Sequence, residues 1–305
     1  MIVCLTFIGK LPKYIIESIH QIRCYYNDEI YLIINDIDSI HIEFIKKYNV
    51  TIIDYKDVVC YNFLEVAQKN QNKFCYVDGL LDRRELFIRS FERFFVLKNL
   101  LQQKDLNDCL FLELDNLIYD NPYNWVDIFS KNELCYMYDN ENRFSSGLMY
   151  VKNHLALDGF LECILNFINN SSEFLTEMTA LSIYYEANKD KVEVLPTFWI
   201  ETETNVPPIA YLNYNKYNDS IFDALAIGCN LLGLDPFHTG GAIQTNLKAP
   251  WCAIDYTKLS FEWKIDELGR KKPYVWNGEK WLLINNLHVH SKDLLSGLSR
   301  PLDFV

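Results

Sequence analysis

The stretch Cys109-Leu-Phe-Leu-Glu-Leu-Asp-Asn-Leu-Ile-Tyr119 starts as an apolar run and then carries two carboxylates one residue apart. Such a run reads as a strand of a buried parallel sheet, covered by helices on both faces. Glu113 and Asp115 come late in it, and open α/β sheets collect their ligands outside the carboxyl ends of such strands. On an extended chain an i, i+2 pair points both side chains to one side, near enough to share one cation. Alone, the pattern also fits a turn cap or a solvated strand end. Its context raises it: no other polar side chain lies between Cys109 and Leu112, and burying a carboxylate pair without a counter-charge is costly. Two hard oxygen ligands suit Mg²⁺ or Mn²⁺, ions that usually hold a substrate's phosphates as well.

Outward from this stretch, the first third of the chain alternates strand and helix periodicity. Residues 2–8 form an apolar β run, 13–26 carry apolar residues at helical spacing, 30–34 are β and end at Asn35-Asp36, 39–48 are helical and 50–55 are β. That rhythm predicts right-handed βαβ units around a parallel sheet. A long amphipathic helix over 83–103 then leads into the strand with the carboxylates. Beyond them the pattern loosens. Strands over 134–138 and 148–151 flank a polar turn at 139–146, and helices are expected over 154–169, 175–189 and 221–232. The last of these runs into the loop Leu234-Asp-Pro-Phe-His-Thr-Gly-Gly241. Asn277-Gly278 signals a hairpin, and a strand over 281–290 follows. No linker, repeat or low-complexity tract interrupts the chain, which favours a single α/β domain.

The 305 residues are 50% hydrophobic and 15% aromatic, enough for a large core. A net charge of −12 weighs against a nucleic-acid partner and against adhesion to anionic lipid. The nine cysteines include no C-x-x-C pair, so buried free thiols of a reducing compartment are expected. The N-terminal run lacks a basic region and a cleavage site, and no apolar run is long enough for a bilayer span. A soluble, cytoplasmic protein is the expectation.

Three further stretches carry candidate chemistry. In Asn286-Leu-His-Val-His-Ser-Lys292, strand alternation puts His288 and His290 on one face, with Lys292 two residues on. An imidazole can complete a metal shell, leaning toward Mn²⁺ over Mg²⁺, and an ammonium can neutralise a departing diphosphate. In Arg143-Phe-Ser-Ser-Gly-Leu-Met-Tyr-Val-Lys-Asn153, Gly147 opens a strand after a turn, where a missing Cβ lets backbone approach a ligand. The bland alternative is a hairpin glycine. Glu177 lies in the first turn of a helix, Thr176-Glu-Met-Thr-Ala-Leu-Ser-Ile-Tyr-Tyr185, where its charge also suits the helix dipole. Arg93 sits in a helix of alternating charge and is ion-paired or solvated on the plainest reading.

In this order the elements resemble the metal-dependent glycosyltransferases of the GT-A fold. More narrowly, four strings resemble a group of bacterial and giant-virus glycosyltransferases: Arg89-Ser-Phe-Glu-Arg-Phe-Phe-Val-Leu97, Phe111-Leu-Glu-Leu-Asp-Asn116, Phe222-Asp-Ala-Leu-Ala-Ile-Gly228 with Leu234-Asp-Pro236, and Leu287-His-Val-His-Ser-Lys292. An Asn-, Ile-, Tyr- and Lys-rich composition fits such a viral source, whose product would work in host cytoplasm. The resemblance implies a Rossmann-like mixed sheet in one domain over 1–305, with a nucleotide-sugar-binding half at 1–120 and an acceptor-binding half at 121–305. It implies Mn²⁺ (or Mg²⁺) on Glu113, Asp115 and either His288 or His290. A donor set of Thr6, Phe7, Arg93, Glu113, Leu114, Asp115, Gly147 and Lys292 follows by position. Thr6 and Phe7 would border the base, and Arg93 would reach the ribose or diphosphate. Glu177 would be the first candidate for the base of an inverting reaction, with Asp223 and Asp235 behind it.

The implied reaction takes a sugar from a nucleoside diphosphate, UDP being the commonest in this fold, to a hydroxyl of a glycan or protein acceptor. One departure stands out, since the first position of the acidic motif is Glu and not Asp. Two rival readings remain at this point. A nucleotidyltransferase would need a Gly-rich basic loop after the first strand, and Gly9-Lys10-Leu-Pro12 is a poor one. A catalytically silent carbohydrate-binding protein would not bring the carboxylates and histidines together.

Overall fold

The structure, a computed structural model, describes every residue except 76, 79–80, 173, 175, 200–205, 235–252 and 303–305. Its beginning follows the expected alternation: β1 (Ile2–Phe7), α1 (Ile15–Arg23), β2 (Ile30–Ile34), α2 (Ile42–Lys46) and β3 (Val50–Asp54). Every residue of β2 is buried, which is why its sequence shows no polar alternation. Short helices α3 (Tyr55–Val58) and α4 (Tyr61–Lys69) and a two-residue ladder of β4 (Val77–Asp78) with β5 (Leu81–Asp82) lead to the long α5 (Arg84–Gln103). Then come β6 (Cys109–Leu112), β7 (Asn116–Ile118), α6 (Tyr123–Phe129), β8 (Leu134–Asn140) and β9 (Arg143–Val151). Helices α7 (His154–Asn170) and α8 (Glu177–Ala187) precede β10 (Val192–Leu195). The tail holds β11 (Ser220–Ile221), α9 (Ala226–Leu232), β12 (Phe261–Ile265), β13 (Lys271–Trp276), β14 (Trp281–Ile284) and β15 (Asn286–His288).

The main sheet has the order β10-β8-β9-β6-β1-β2-β3. Strands β6, β1, β2 and β3 run parallel, and β9 is antiparallel to both β6 and β8. The chain steps from β1 out to β2 and β3, then returns through α5 to β6 on the other side of β1. That reversal opens a crevice at the carboxyl ends of β1 and β6, the place where such sheets bind ligands. Helix α5 is tied down by aromatic packing: the ring of Phe94 lies 5.9 Å from Phe111 of β6 and 5.2 Å from Phe160 of α7. A second, antiparallel ladder joins β15 to β7, setting His288 opposite Asn116. No helix among the described residues is long and apolar enough to cross a membrane.

Three expected boundaries shift, each for a local reason. The polar segment 139–146 is mostly strand: Asn140 pairs with Arg143, and irregular register between Cys135 and Met137 and between Tyr138 and Asn140 absorbs the remainder. Gly147 is therefore interior to β9. The apolar run 221–232 is not one helix, because Ile221 ends β11 and α9 begins only at Ala226. The final strand breaks at Asn285, whose N–H donates to Ile221 and whose carbonyl accepts from Tyr119. Helix α8 starts at Glu177 because the side chain of Thr176 accepts from the Thr179 N–H at 3.1 Å. Thr176→Ala should cost about 1 kcal/mol of stability, a typical loss for such a cap. A urea midpoint unchanged by this substitution would show that the cap holds nothing.

Candidate active site

Chain geometry after β6 builds the acidic pair. The Glu113 N–H donates to the carbonyl of Gly147 at 2.9 Å, extending the β6–β9 pairing by one step. The Asn116 N–H then returns to the Glu113 carbonyl at 3.0 Å, so the two carboxylates sit on a tight turn between β6 and β7. From the other ladder, Val289 donates to the carbonyl of Asp115 at 2.7 Å. Its neighbour His288 thereby meets both acids: Nε2 is 3.6 Å from Glu113 Oε2 and 3.6 Å from Asp115 Oδ2. Ligand atoms of Glu113, Asp115 and His288 all lie within 4.8 Å of one another. Two carboxylates and one imidazole at this spacing could hold a divalent metal ion. The other ring nitrogen, Nδ1, is buried on the side of Gly147 and has no hydrogen-bond partner among the described residues.

His290 stays outside this group. The strand ends at His288, the His290 N–H turns back to the His288 carbonyl at 3.1 Å, and alternation fails from there on. This corrects the expectation that the two histidines share a face. His290 is itself buried. A further turn, closed by Lys292 N–H to the Val289 carbonyl at 3.1 Å, leaves Lys292 in the left-handed region at φ 63°. Its ammonium is ion-paired with Asp115.

Arg93, from α5, ties the acidic pair to α8. One guanidinium nitrogen pairs with Glu113; the other reaches Ser146 Oγ at 2.9 Å and Glu177 at 3.3 Å. Ser90 Oγ donates to the other oxygen of Glu177 at 2.8 Å. Glu177 is thus in the cluster, at the first turn of α8, with both oxygens engaged. The longer arm of Glu113 has a use here: Oε1 takes Arg93 while Oε2 faces His288. Arg93 and Ser90 also line, with Thr6, Phe7, Asn35 and Arg89, a cleft of about 390 Å³ at the end of β1. The cleft and the acidic cluster share a wall.

Charges in this cluster hold one another. Burial resists ionisation of Asp115, but Lys292 and His288 outweigh it and keep the carboxyl far below the usual range. Burial likewise works against a charged His288, and Asp115 and Glu113 raise it nonetheless to about 9. Lys292 and Arg93 lose hydration on burial yet are raised by Asp115 and Glu113 respectively.

Gly147 lies beside the cluster, where a Cβ would stand 2.6 Å from Asn116 Nδ2 and 3.0 Å from His288 Nδ1. Only a residue without a side chain lets that amide and imidazole pack there. Leu114 buries its side chain in the core, so any share in donor binding falls to its main chain. Asp223 is corrected more strongly. Its carboxylate is 1% exposed and accepts from three backbone N–H groups, those of Ile227 (2.9 Å), Gly228 (2.8 Å) and His288 (2.9 Å). Burial raises its pKa against those bonds, but the cavity beside it, about 10 Å³, holds no more than about one water. Among the described residues the carboxylate is therefore committed to main-chain donors, with no acceptor-sized space beside it. Asp235 lies outside the described residues. Sequence reasoning passed over Ser90, Ser146, Asn116 and Asn286 as site residues, because each acts through a contact distant in sequence.

No protein-family model matches the chain, and no curated protein matches it. Among solved structures it is similar to mouse xyloside xylosyltransferase 1 in its apo form, with 13% identity, 66% of this chain and 87% of that one covered, and a TM-score of 0.45. It is also similar to the galactosyltransferase LgtC in complex with donor and acceptor sugar analogues, with 12% identity, 65% and 74% covered, and a TM-score of 0.47. A third, the glycosyltransferase GlyE of Streptococcus pneumoniae, has 15% identity, 64% and 44% covered, and a TM-score of 0.38. Likeness at this level carries no argument about activity. The weight rests on the residues of this chain.

Proposed function

We propose that the chain is a metal-dependent glycosyltransferase of the GT-A type, moving a sugar from a nucleoside diphosphate, of which UDP is the commonest in this fold, to a hydroxyl of a glycan or protein. The observation that carries this is the convergence of Glu113, Asp115 and His288 next to Lys292, at the strand crevice and against the cleft lined by Thr6 and Phe7.

Charge balance supports it. Three acids (Glu113, Asp115, Glu177) face three bases (Arg93, Lys292 and a protonated His288). A divalent cation would displace the His288 proton, since only the neutral imidazole ligates, and the exchange would still leave one surplus positive charge that a diphosphate offsets. The ion and the nucleotide should therefore bind together. Glu113, Asp115 and His288 would hold Mn²⁺, with Mg²⁺ the second choice, and the bound ion would supply a Lewis acid for the diphosphate oxygens. Lys292, held protonated beside Asp115, would stabilise negative charge as the sugar–oxygen bond breaks. Thr6 and Phe7 would edge the base. Arg93 sets the direction of Glu113 and Glu177 before it touches any donor. Glu177, with both oxygens already hydrogen-bonded, suits the task of holding a sugar or acceptor hydroxyl in place.

Consumption of a nucleoside-diphosphate sugar that depends on Mn²⁺ tests the proposal, and no consumption from any donor contradicts it. His288→Ala should weaken Mn²⁺ binding at least about tenfold, and His290→Ala much less. A Mn²⁺ titration showing the reverse order would move the ligand to His290.

A further inference from the structure

Metal-ligating histidines commonly have their second ring nitrogen tied to a carboxylate or carbonyl, which fixes the ring. His288 lacks that tie among the described residues, since Nδ1 is buried without a partner. Its orientation is fixed through the main chain instead. The His288 N–H donates to Asp223 Oδ2 at 2.9 Å, and the same oxygen accepts from Gly228 at 2.8 Å. The His288 carbonyl is packed so closely on α9 that a Cβ at Gly228 would stand 2.1 Å from it. Asp223 is in turn held at both main-chain ends by one side chain: its N–H donates to Asn286 Oδ1 (3.0 Å) and its carbonyl accepts from Asn286 Nδ2 (2.9 Å). Asn286 Nδ2 also donates to Asn116 Oδ1 at 2.9 Å, which closes the circuit next to Asp115. On the far side of the ring lies Gly147. Asp223, Asn286 and Asn116 are buried, and His288 is half-buried.

We propose that Asp223 is a positioning residue: by holding the His288 N–H against the start of α9, it aims the imidazole at Glu113 and Asp115 and so sets the affinity of the site for a divalent cation. This rests on the metal assignment above and assigns Asp223 a task other than proton transfer. The residue never touches substrate. Asparagine in its place keeps the volume but removes the charge and sets an amide NH₂ against backbone donors, either Ile227 or the His288 and Gly228 pair, so the hold on the His288 N–H weakens.

The test is a Mn²⁺ titration, with no donor or acceptor present, of the wild-type chain, Asp223→Asn, His288→Ala and the double variant. The expected result is a tenfold to hundredfold loss for Asp223→Asn, a range typical of such outer partners, and no additional loss when it is combined with His288→Ala. A loss below tenfold, or an equal further loss without the imidazole, overturns the proposal. If Asp223→Asn does not fold, Asn116→Ala decides by the same criteria, since it releases the circuit at its other end. A wild-type chain that binds no Mn²⁺ would instead overturn the metal assignment, a result distinct from unaltered binding by the variant.

Discussion

Asp115→Ala is expected to abolish Mn²⁺-dependent sugar transfer, a loss of about 10³-fold or more, worth roughly 4 kcal/mol of transition-state stabilisation. The chain should remain folded. Asp115 contributes to the fold chiefly through its carbonyl, which accepts from Val289 at 2.7 Å, and alanine keeps that bond. Its carboxylate, by contrast, faces the site alone with Lys292 and His288. Without it, Lys292 can extend its flexible stem to water, and His288 loses the neighbour that contributes most to its raised pKa. Two effects then combine: one ligand is gone, and the charge balance that favours joint binding of ion and diphosphate is broken. Transfer rates with and without Mn²⁺, together with an unfolding curve of the variant, check this. A cooperative curve with unchanged Mn²⁺-dependent turnover would contradict the assignment of Asp115.

Arg93→Met should have the largest effect on stability, about 3–5 kcal/mol, the usual cost of removing one partner from a buried ion pair. The guanidinium is the only group that the described contacts place between Glu113 and Glu177, and it also holds Ser146. Methionine fills much of the space but leaves two poorly hydrated carboxylates facing each other. Arg93→Lys restores charge without the planar fork and should recover only part of the loss. Adding Glu177→Gln to Arg93→Met should recover part as well, because it removes the repulsion. Denaturant midpoints for the three variants measure this. Equal midpoints for wild type and Arg93→Met would mean that α5 and the acidic turn are not tied through this residue.

Period was the legible part of the fold. Apolar runs such as Ile30–Ile34 alternate with helical spacing over the first third, and β1–β3 follow it closely. The second half hides its pattern because polar residues there serve contacts within strands. Ser146 accepts from Arg93 inside β9, so a segment that reads as a turn is sheet. Phe222 and Asp223 extend an apolar run past a strand end, yet Asp223 stands before α9 to receive its N–H groups. In the site, Glu113 and Asp115 were legible as a pair because their strand offers no other polar group. His288 and His290 were not separable by alternation, since the strand stops at the first of them. Nothing near Asn116 or Asn286 in sequence announces that their side chains meet across the β7–β15 ladder.

The most direct measurement is thermal stability of the wild-type chain against a panel of nucleoside diphosphates and their sugars, with and without Mn²⁺. A ligand at a hundred times its dissociation constant adds about 2.7 kcal/mol, a readable rise in melting temperature. The account predicts a rise for one nucleotide class when Mn²⁺ is present, larger than the sum of the rises from either component alone. No rise with any nucleotide, or a rise indifferent to Mn²⁺, would contradict it.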